Sequence, residues 1–211
     1  MNIFYVDYDP EIAARNMVDR HVVKMILETA QLLSTAHRVL DGAEEIGKSD
    51  SGRKKKVWKL PDAIDTIMYS ATHVNHPSAV WVRESSANYN WLYSHLLALG
   101  CEYTHRYSRI HLTIDKLGSI LKDAPKNIKI TGLTKMPSCM AQEYIISLDP
   151  ITNYRNYYNH GKVDLLRWTN RTPPQWIKGE VIHREYYNDC SQYDCGVYEH
   201  THKKQIYTIG R

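Results

Sequence analysis

The strongest hydrophobic pattern in the chain lies near its start and is helical. A short apolar stretch, residues 2–8, is followed by Asp9 and Pro10, a pair typical of a helix N-cap and its first turn. From there apolar side chains recur at helical spacing as far as Leu40. We therefore predict one helix from Pro10 to about Leu40.

The same periodicity predicts further helices downstream. A second helix is expected from Pro61 to about His76, where the proline that follows disfavours the helical conformation. A long third helix begins at the serine cap Ser85, and shorter helices are expected around residues 113–122 and 138–147. Because strand-like alternation is scarce before residue 178, we expect a mainly α fold.

We predict a compact single-domain helical bundle over residues 1–178. Residues 179–211 are expected to form a C-terminal extension, either a small β-hairpin or an irregular tail. Residues 41–57 contain three glycines and end close to the run "RKKK", so we predict a mobile basic loop. This loop is either a solvated surface or a contact for a nucleic-acid backbone.

Composition narrows the class of protein. No apolar run approaches the roughly 18 to 20 residues needed to cross a bilayer, and no secretory signal is recognisable, so we expect a cytosolic protein without a membrane partner. The four cysteines are too sparse for a disulfide framework. The chain has 16 tyrosines and 5 tryptophans but a single phenylalanine, which suits hydrated interfaces and base stacking.

A polar stripe runs along the first predicted helix. At 100° per residue its members fall within an arc of about 100°: His21, Lys24, Glu28, Gln31, Thr35 and Arg38. The stripe faces either solvent or an internal cleft. A carboxylate beside a lysine and a histidine can act as a general base or stabilise a developing cation, as displacement at a sugar carbon requires, and it also fits plain anion binding. The candidate catalytic residues are Glu28, His21 and Lys24.

Two further regions supply candidate binding residues. Residues 73–91 combine histidines, tryptophans and an arginine, and a basic helical segment follows at residues 102–111. His73 and His76 could ligate a metal, but no cysteine or carboxylate completes a ligand set nearby, so no metal is predicted. With Gln31 and Arg38 of the stripe, the candidates from these regions are His76, Trp81, Arg83, Asn88 and Arg106.

The densest alternation of rings and cations lies in residues 153–176. Such alternation is typical of sites that bind a phosphodiester backbone and stack bases, although aromatic residues packed beneath surface arginines would show the same pattern. Residue types alone do not separate a nucleic acid from a free nucleotide. The candidates are Tyr154, Arg155, Tyr157, Tyr158, Lys162, Arg167, Trp168 and Arg171.

Three motifs resemble a known family. Asp19 and His21 form an Asp-x-His, and Glu28 follows seven residues after the histidine. His76 opens a second block, and residues 157–162 read "YYNHGK". Over residues 1 to about 165 the chain resembles the pyrimidine-dimer DNA glycosylases, the endonuclease V type of T-even bacteriophages, and also uncharacterised proteins of large tailed phages.

The resemblance implies a compact all-α domain, metal-independent and cofactor-free base excision, and Glu28 as the carboxylate acting at the sugar C1′. That family flips a nucleotide out of a bent duplex. It attacks with the α-amine of an N-terminal threonine, whereas this chain begins Met1-Asn2. Lys24, or water activated by Glu28, are therefore alternative nucleophiles. Gln31 stands where the family has an arginine.

We therefore predict a DNA-processing enzyme that excises a damaged or modified base by cleaving the glycosidic bond, located in the host cytoplasm if phage-encoded. One alternative is an enzyme or sequestering protein for free, modified nucleotides. Another is a noncatalytic nucleic-acid-binding module in which the stripe is merely surface. The expected partner is DNA or a nucleotide, and the sequence does not define an oligomeric state.

Overall fold

The computed structural model describes residues 1–48, 51–61, 63–179 and 181–184. Helices account for most of the regular structure in that part of the chain, which confirms the predicted mainly α fold. They are α1 (Pro10–Asn16), α2 (Asp19–Asp41), α3 (Ile64–Ile67), α4 (Pro77–Glu84), α5 (Ser86–Tyr107), α6 (Leu112–Leu117) and α7 (Pro150–Gly161). None of the described helices is long and apolar enough to cross a membrane.

The predicted first helix is two helices, so the prediction of one continuous helix is wrong. The carboxylate of Asp9 caps α1 as expected, accepting hydrogen bonds from two backbone N–H groups of the first turn. Backbone carbonyls at the end of α1 accept hydrogen bonds from side chains that are distant in the sequence. Arg106 donates to the carbonyls of Arg15 and Met17, and Trp168 donates to that of Asn16. These bonds hold the chain extended before α2 begins.

The core forms where α2 packs against α4 and α5, with α1 lying on α5. The predicted serine cap of the long helix is confirmed, because the side chain of Ser85 accepts a hydrogen bond from the N–H of Asn88. Gly100 lets α6 approach α5 closely, since a Cβ at this position would lie 2.8 Å from Ile114 Cγ1. The result is a closely packed set of helices around α2.

Residues 41–57, predicted to be a mobile loop, instead contain most of an antiparallel hairpin. Strand β1 (Ala43–Lys48) pairs with β2 (Lys54–Lys59). The hairpin leaves α2 through a tight corner at Gly42, where a Cβ would lie 3.1 Å from the carbonyl oxygen of Lys59. Most residues of both strands are exposed, so the hairpin has no alternating apolar face that could have predicted it.

The predicted second helix is also wrong, since only the single turn α3 forms. Arg38 explains the difference: its guanidinium donates to the carbonyls of Asp65, Met68 and Tyr69. Residues 138–147 contain only the short 3₁₀ turn Gln142–Tyr144 in place of the predicted helix.

At the C-terminal side, β3 (Arg167–Thr169) pairs in parallel with β4 (Ile182–Arg184). The described start of the predicted extension therefore joins the helical body. Residues 185–211, and with them the rest of the predicted tail hairpin, lie outside the described residues.

Candidate active site

Nitrogen atoms surround the carboxylate of Glu28, whose side chain is 13% exposed. The backbone N–H of Asn2 donates to Glu28 Oε2 at 3.2 Å, and the α-amine of Met1 lies 4.0 Å from the same oxygen. Lys24 Nζ lies 3.3 Å from the other oxygen, Oε1. The carboxylate thus faces one backbone N–H donor and the two ammonium groups of Met1 and Lys24.

The N-terminus reaches Glu28 because residues 3–6 run through the core, where their side chains are buried. Phe4 adopts the left-handed backbone conformation, with φ 56°, and its carbonyl accepts a 2.8 Å hydrogen bond from the N–H of Val6. This conformation is uncommon for a bulky residue and costs roughly 1–3 kcal/mol, so surrounding contacts must maintain it.

His21 supplies one of those contacts. Its ring stacks on Phe4 with a centroid distance of 4.0 Å, and its Nδ1 lies 2.7 Å from the hydroxyl of Tyr158. Burial, and to a smaller extent the positive charges of Lys162, Lys24 and Arg20, together lower the pKa of His21 to about 3. His21 is therefore neutral at physiological pH and supports the N-terminal segment, and the structure gives it Tyr158, not Glu28, as its hydrogen-bond partner.

The side chain of Asn2 is held at both ends. Its Nδ2 donates to the carbonyl of Cys139 at 2.7 Å, and its Oδ1 accepts from the Tyr154 hydroxyl at 2.6 Å. The N–H of Cys139 in turn donates to the Tyr154 oxygen at 3.1 Å. We call these three residues the Asn2 clamp. The clamp fixes the side chain of Asn2 and so directs its backbone nitrogen at Glu28.

His76 is the N-cap of α4 and lies close enough to Glu28 and the Met1 amine for their charges to act on its ring. Its Nδ1 accepts a hydrogen bond from the N–H of Ser78, so the neutral ring carries its proton on Nε2. Burial lowers the pKa of His76, as do the Met1 amine and His73, whereas Glu28 raises it. His76 is thus a neutral donor close to the N-terminus and the carboxylate.

Asp19, the first residue of the Asp-x-His motif, belongs to a buried charge network. Its carboxylate accepts hydrogen bonds from Arg106 and from the N–H and hydroxyl of Thr169. Arg106 also bonds Glu102, which accepts from Arg171 as well. Although burial raises the pKa of Glu102, the two arginines lower it overall. The network ties the start of α2 to α5 and β3.

An open groove of about 1420 Å³ lies beside the N-terminal half of α2. Lys24 borders this groove and also forms an ion pair with Glu28, which itself does not line the groove. Six cationic residues line it against two acidic ones, Asp19 and Asp164. The cations are Arg20, Lys24, Arg106, Arg109, Lys162 and Arg167. The predicted residues Lys162 and Arg167 therefore do meet at one surface.

The structure places other predicted binding residues in the interior. Their side chains pack in the core or bond to protein atoms. They therefore support the site and do not make the direct contact with DNA or a nucleotide that had been predicted. Arg106, although it borders the groove, has a fully buried side chain held by protein partners. The others are Arg38, Trp81, Asn88, Tyr154, Tyr158 and Trp168.

The remaining candidates are partly exposed but do not line the groove. Arg83 donates to the carbonyls of residues 74 and 79, and Arg155 forms an ion pair with Asp7. The ammonium of Lys162 lies over the ring of Tyr157, and its nitrogen is 4.8 Å from the ring centroid. Arg171 is held by Glu102 and is only slightly exposed. Gln31 lies on the same stripe of α2 as Glu28 and is also partly exposed.

Sequence reasoning missed the Asn2 clamp. Cys139 contributes main-chain atoms, so its residue type carried no signal. Because the chain begins Met1-Asn2 and not with a threonine, the sequence pointed to Lys24 or water as alternative nucleophiles, and yet the structure brings the nitrogens of Met1 and Asn2 to Glu28. Within the described ranges no group of three or more His, Cys, Asp and Glu side chains could hold a metal ion.

Comparison with known families agrees with the motif. A family model described as pyrimidine dimer DNA glycosylase matches residues 1–115, which include the N-terminal segment, Glu28 and His76. Searches of curated proteins and of solved structures found no match. Since the family match covers more than half of the 211 residues, the chain belongs to the pyrimidine dimer DNA glycosylase family.

Proposed function

We propose that this protein excises a damaged or modified base from DNA, with Glu28 as the catalytic carboxylate and an N-terminal amine as the nucleophile. One observation carries the proposal: an N-terminal nitrogen lies beside the only carboxylate of the α2 polar stripe. The distances to Glu28 Oε2 are 3.2 Å from the Asn2 nitrogen and 4.0 Å from the Met1 amine.

Two states of the N-terminus would supply such an amine. With Met1 in place, its own α-amine is the primary amine. If Met1 is removed, the nitrogen of Asn2 becomes a primary amine already in hydrogen-bond contact with Glu28. An α-amine has an ordinary pKa of about 7.7–8.0 against about 10.4 for a lysine, so more of it is neutral and nucleophilic at pH 7. This favours the terminal amine over Lys24.

The reaction is a displacement at C1′ of the flipped nucleotide. The amine nitrogen forms a bond to C1′ while the glycosidic bond breaks and its electron pair leaves with the base. The secondary ammonium so formed then loses a proton to Glu28. As the C1′–O4′ bond breaks, the nitrogen lone pair forms the C=N bond and Glu28 returns the proton to O4′, which leaves a protonated imine. Lys24, through its ion pair with Glu28, orients the carboxylate.

The shape and charge of the groove support a polymeric substrate. A free nucleotide fits a closed pocket, whereas this groove is open and carries an excess of cations along its length. Arg20, Arg109 and Lys162 are placed to neutralise phosphates of a strand whose target nucleotide is turned towards Glu28.

Borohydride trapping tests the proposal. Duplexes that carry a pyrimidine dimer or one of a panel of modified bases would be incubated with the protein and borohydride, and the cross-linked peptide identified by mass spectrometry. We expect base release and an adduct on the peptide that contains the N-terminus. An adduct on the Lys24 peptide, or base release without any adduct, would contradict the terminal amine. Absence of glycosidic-bond cleavage across the panel would contradict the excision function.

A further inference from the structure

The β1–β2 hairpin presents a concentration of positive charge that the excision chemistry does not use. Lys48 and Lys54 are exposed and occupy directly opposed positions in the antiparallel ladder. Opposed residues project from the same face, and the next residue on that face along β2 is Lys56. The ammonium of Lys56 is paired with Glu44 at 2.7 Å. The two lysines nearest the turn are thus the most concentrated charge of this face.

Such a pair is unfavourable for the hairpin itself. Like charges directly opposite each other destabilise a strand pair, and a two-stranded hairpin is only marginally stable. An anion bound between the two ammonium groups would remove this repulsion. The arrangement is therefore better explained by a bound anion than by the stability of the fold.

The hairpin is also held in a defined position relative to Glu28. Arg38, on the same polar stripe of α2, donates to the carbonyl of Trp58 in β2 at 2.7 Å and pairs with Asp65 at 2.6 Å. Gly42 follows Glu28 by fourteen residues, which corresponds to about 21 Å along the helix axis. The base of the hairpin is therefore separated from Glu28 by about the length of six base pairs of duplex.

We propose that the face of the hairpin bearing Lys48 and Lys54 binds the phosphate backbone of duplex DNA, with the base of the hairpin about six base pairs from the nucleotide acted on at Glu28. The position of this contact rests on the proposed function, whereas binding of duplex by the hairpin does not. The hairpin extends the footprint of the protein beyond the groove beside α2.

The test is the salt dependence of binding to undamaged duplex, which requires no excision. For the double variant Lys48→Ala with Lys54→Ala, we expect the slope of log Kobs against log salt to fall in magnitude by about 1.8 on a long duplex, since each phosphate contact contributes about 0.9. Both residues are exposed, so the circular dichroism spectrum should not change. An unchanged slope would overturn the proposal.

Two single variants act as controls. Lys122→Ala removes an exposed charge next to Asp123, which faces His37 on the side of α2 opposite Glu28, and should leave the slope on the long duplex unchanged. Lys55→Ala removes an exposed charge from the other face of the hairpin and should have a much smaller effect than the double variant. Equal losses from Lys55→Ala and the double variant would contradict the assignment to this face.

Duplex length locates the contact. With arms of about fifteen base pairs on each side of a lesion the double variant should bind more weakly than the wild type, and with arms of about five base pairs the two should bind alike. A difference that persists on the short duplex would contradict the position inferred here. If the wild type binds duplex through these lysines but releases no base, the proposed function fails and the hairpin contact stands.

Discussion

The backbone nitrogen of Asn2 lies 3.2 Å from the carboxylate of Glu28, although the two residues are 26 positions apart in the sequence. This contact joins the buried N-terminal segment to the middle of α2. It depends on the left-handed turn at Phe4, on His21 stacked against that ring, and on the clamp around the Asn2 side chain. The arrangement brings an amine and a carboxylate together without either being fully exposed.

Replacing Glu28 by glutamine should abolish most excision activity. The substitution keeps the size of the side chain and removes the charge that would accept the proton from the amine, so we expect the single-turnover rate to fall by about 10²–10⁴-fold. Affinity for duplex DNA should stay the same or rise slightly, because one negative charge is lost. Rate and affinity would be measured on the same damaged duplex.

The matched control is Glu11→Gln, which removes the same charge from an exposed position on α1. It should leave the excision rate within about twofold of the wild type. A Glu28→Gln protein that retains the wild-type rate would remove the carboxylate from the mechanism.

Replacing Tyr154 by phenylalanine should lower the excision rate only because the N-terminal nitrogens are less well positioned at Glu28. The Tyr154 hydroxyl bonds both Asn2 and the N–H of Cys139, so its loss removes one of the hydrogen bonds that hold the Asn2 side chain and leaves a partly buried N–H without this partner. We expect unfolding free energy to drop by about 1–2 kcal/mol and the rate to fall by about tenfold or more, with unchanged duplex affinity.

Tyr93→Phe separates the two effects. Its hydroxyl donates to the carbonyl of Gly118 at 2.9 Å, away from the Asn2 clamp. We expect a comparable loss of stability and a wild-type excision rate. Equal rate losses in the Tyr93 and Tyr154 variants would mean that the clamp has no positioning role.

Stability should decrease in mild acid because two buried histidines are held neutral. Burial lowers the pKa of His21 to about 3 and that of His95 to about 4. Since both lie below the ordinary value of about 6.5, the unfolded chain binds more protons, and the stabilisation present above pH 6.5 is lost as the pH falls. At pH 5 each histidine should account for a loss of about 2 kcal/mol.

Urea denaturation of the wild type and of His21→Phe at pH 7 and pH 5 would measure this. Phenylalanine keeps a ring against Phe4 and cannot be protonated, so acidification from pH 7 to pH 5 should destabilise the variant by about 2 kcal/mol less than the wild type. The same acid-induced loss in both proteins would show that His21 does not titrate on unfolding.

The sequence predicted a helix correctly where residues close to its ends in the chain determine where it begins. The signals at Asp9-Pro10 and Ser85 were correct because the cap forms within one turn of the chain. Asp149-Pro150 carries the same signal and caps α7, a helix that was not predicted from the sequence. The predicted helix after Pro61 failed because Arg38, far away in sequence, binds the carbonyls that the segment presents.

Of the candidate site, only the residues contributed by α2 could be predicted from the sequence. The spacing of His21, Lys24 and Glu28 placed them on one stripe of α2, as local helical geometry requires. Their partners come from other parts of the chain, with the N-terminal nitrogens at Glu28 and Tyr158 at His21. No pattern within a single helix encodes such long-range contacts. Buried arginines such as Arg106 were mistaken for surface groups because composition does not reveal ion pairs.

Replacing Asp19 by alanine should destabilise the protein without acting on the chemistry directly. Asp19 pairs with the fully buried guanidinium of Arg106 and accepts two hydrogen bonds from Thr169, so its removal leaves a buried charge short of a partner. We expect a loss of about 3–5 kcal/mol in unfolding free energy, measured by urea denaturation. Asp115→Ala, at an exposed position of α6, should cost less than about 1 kcal/mol. If Asp19→Ala is as stable as the wild type yet excises no base, Asp19 acts in catalysis and the structural role assigned to it is wrong.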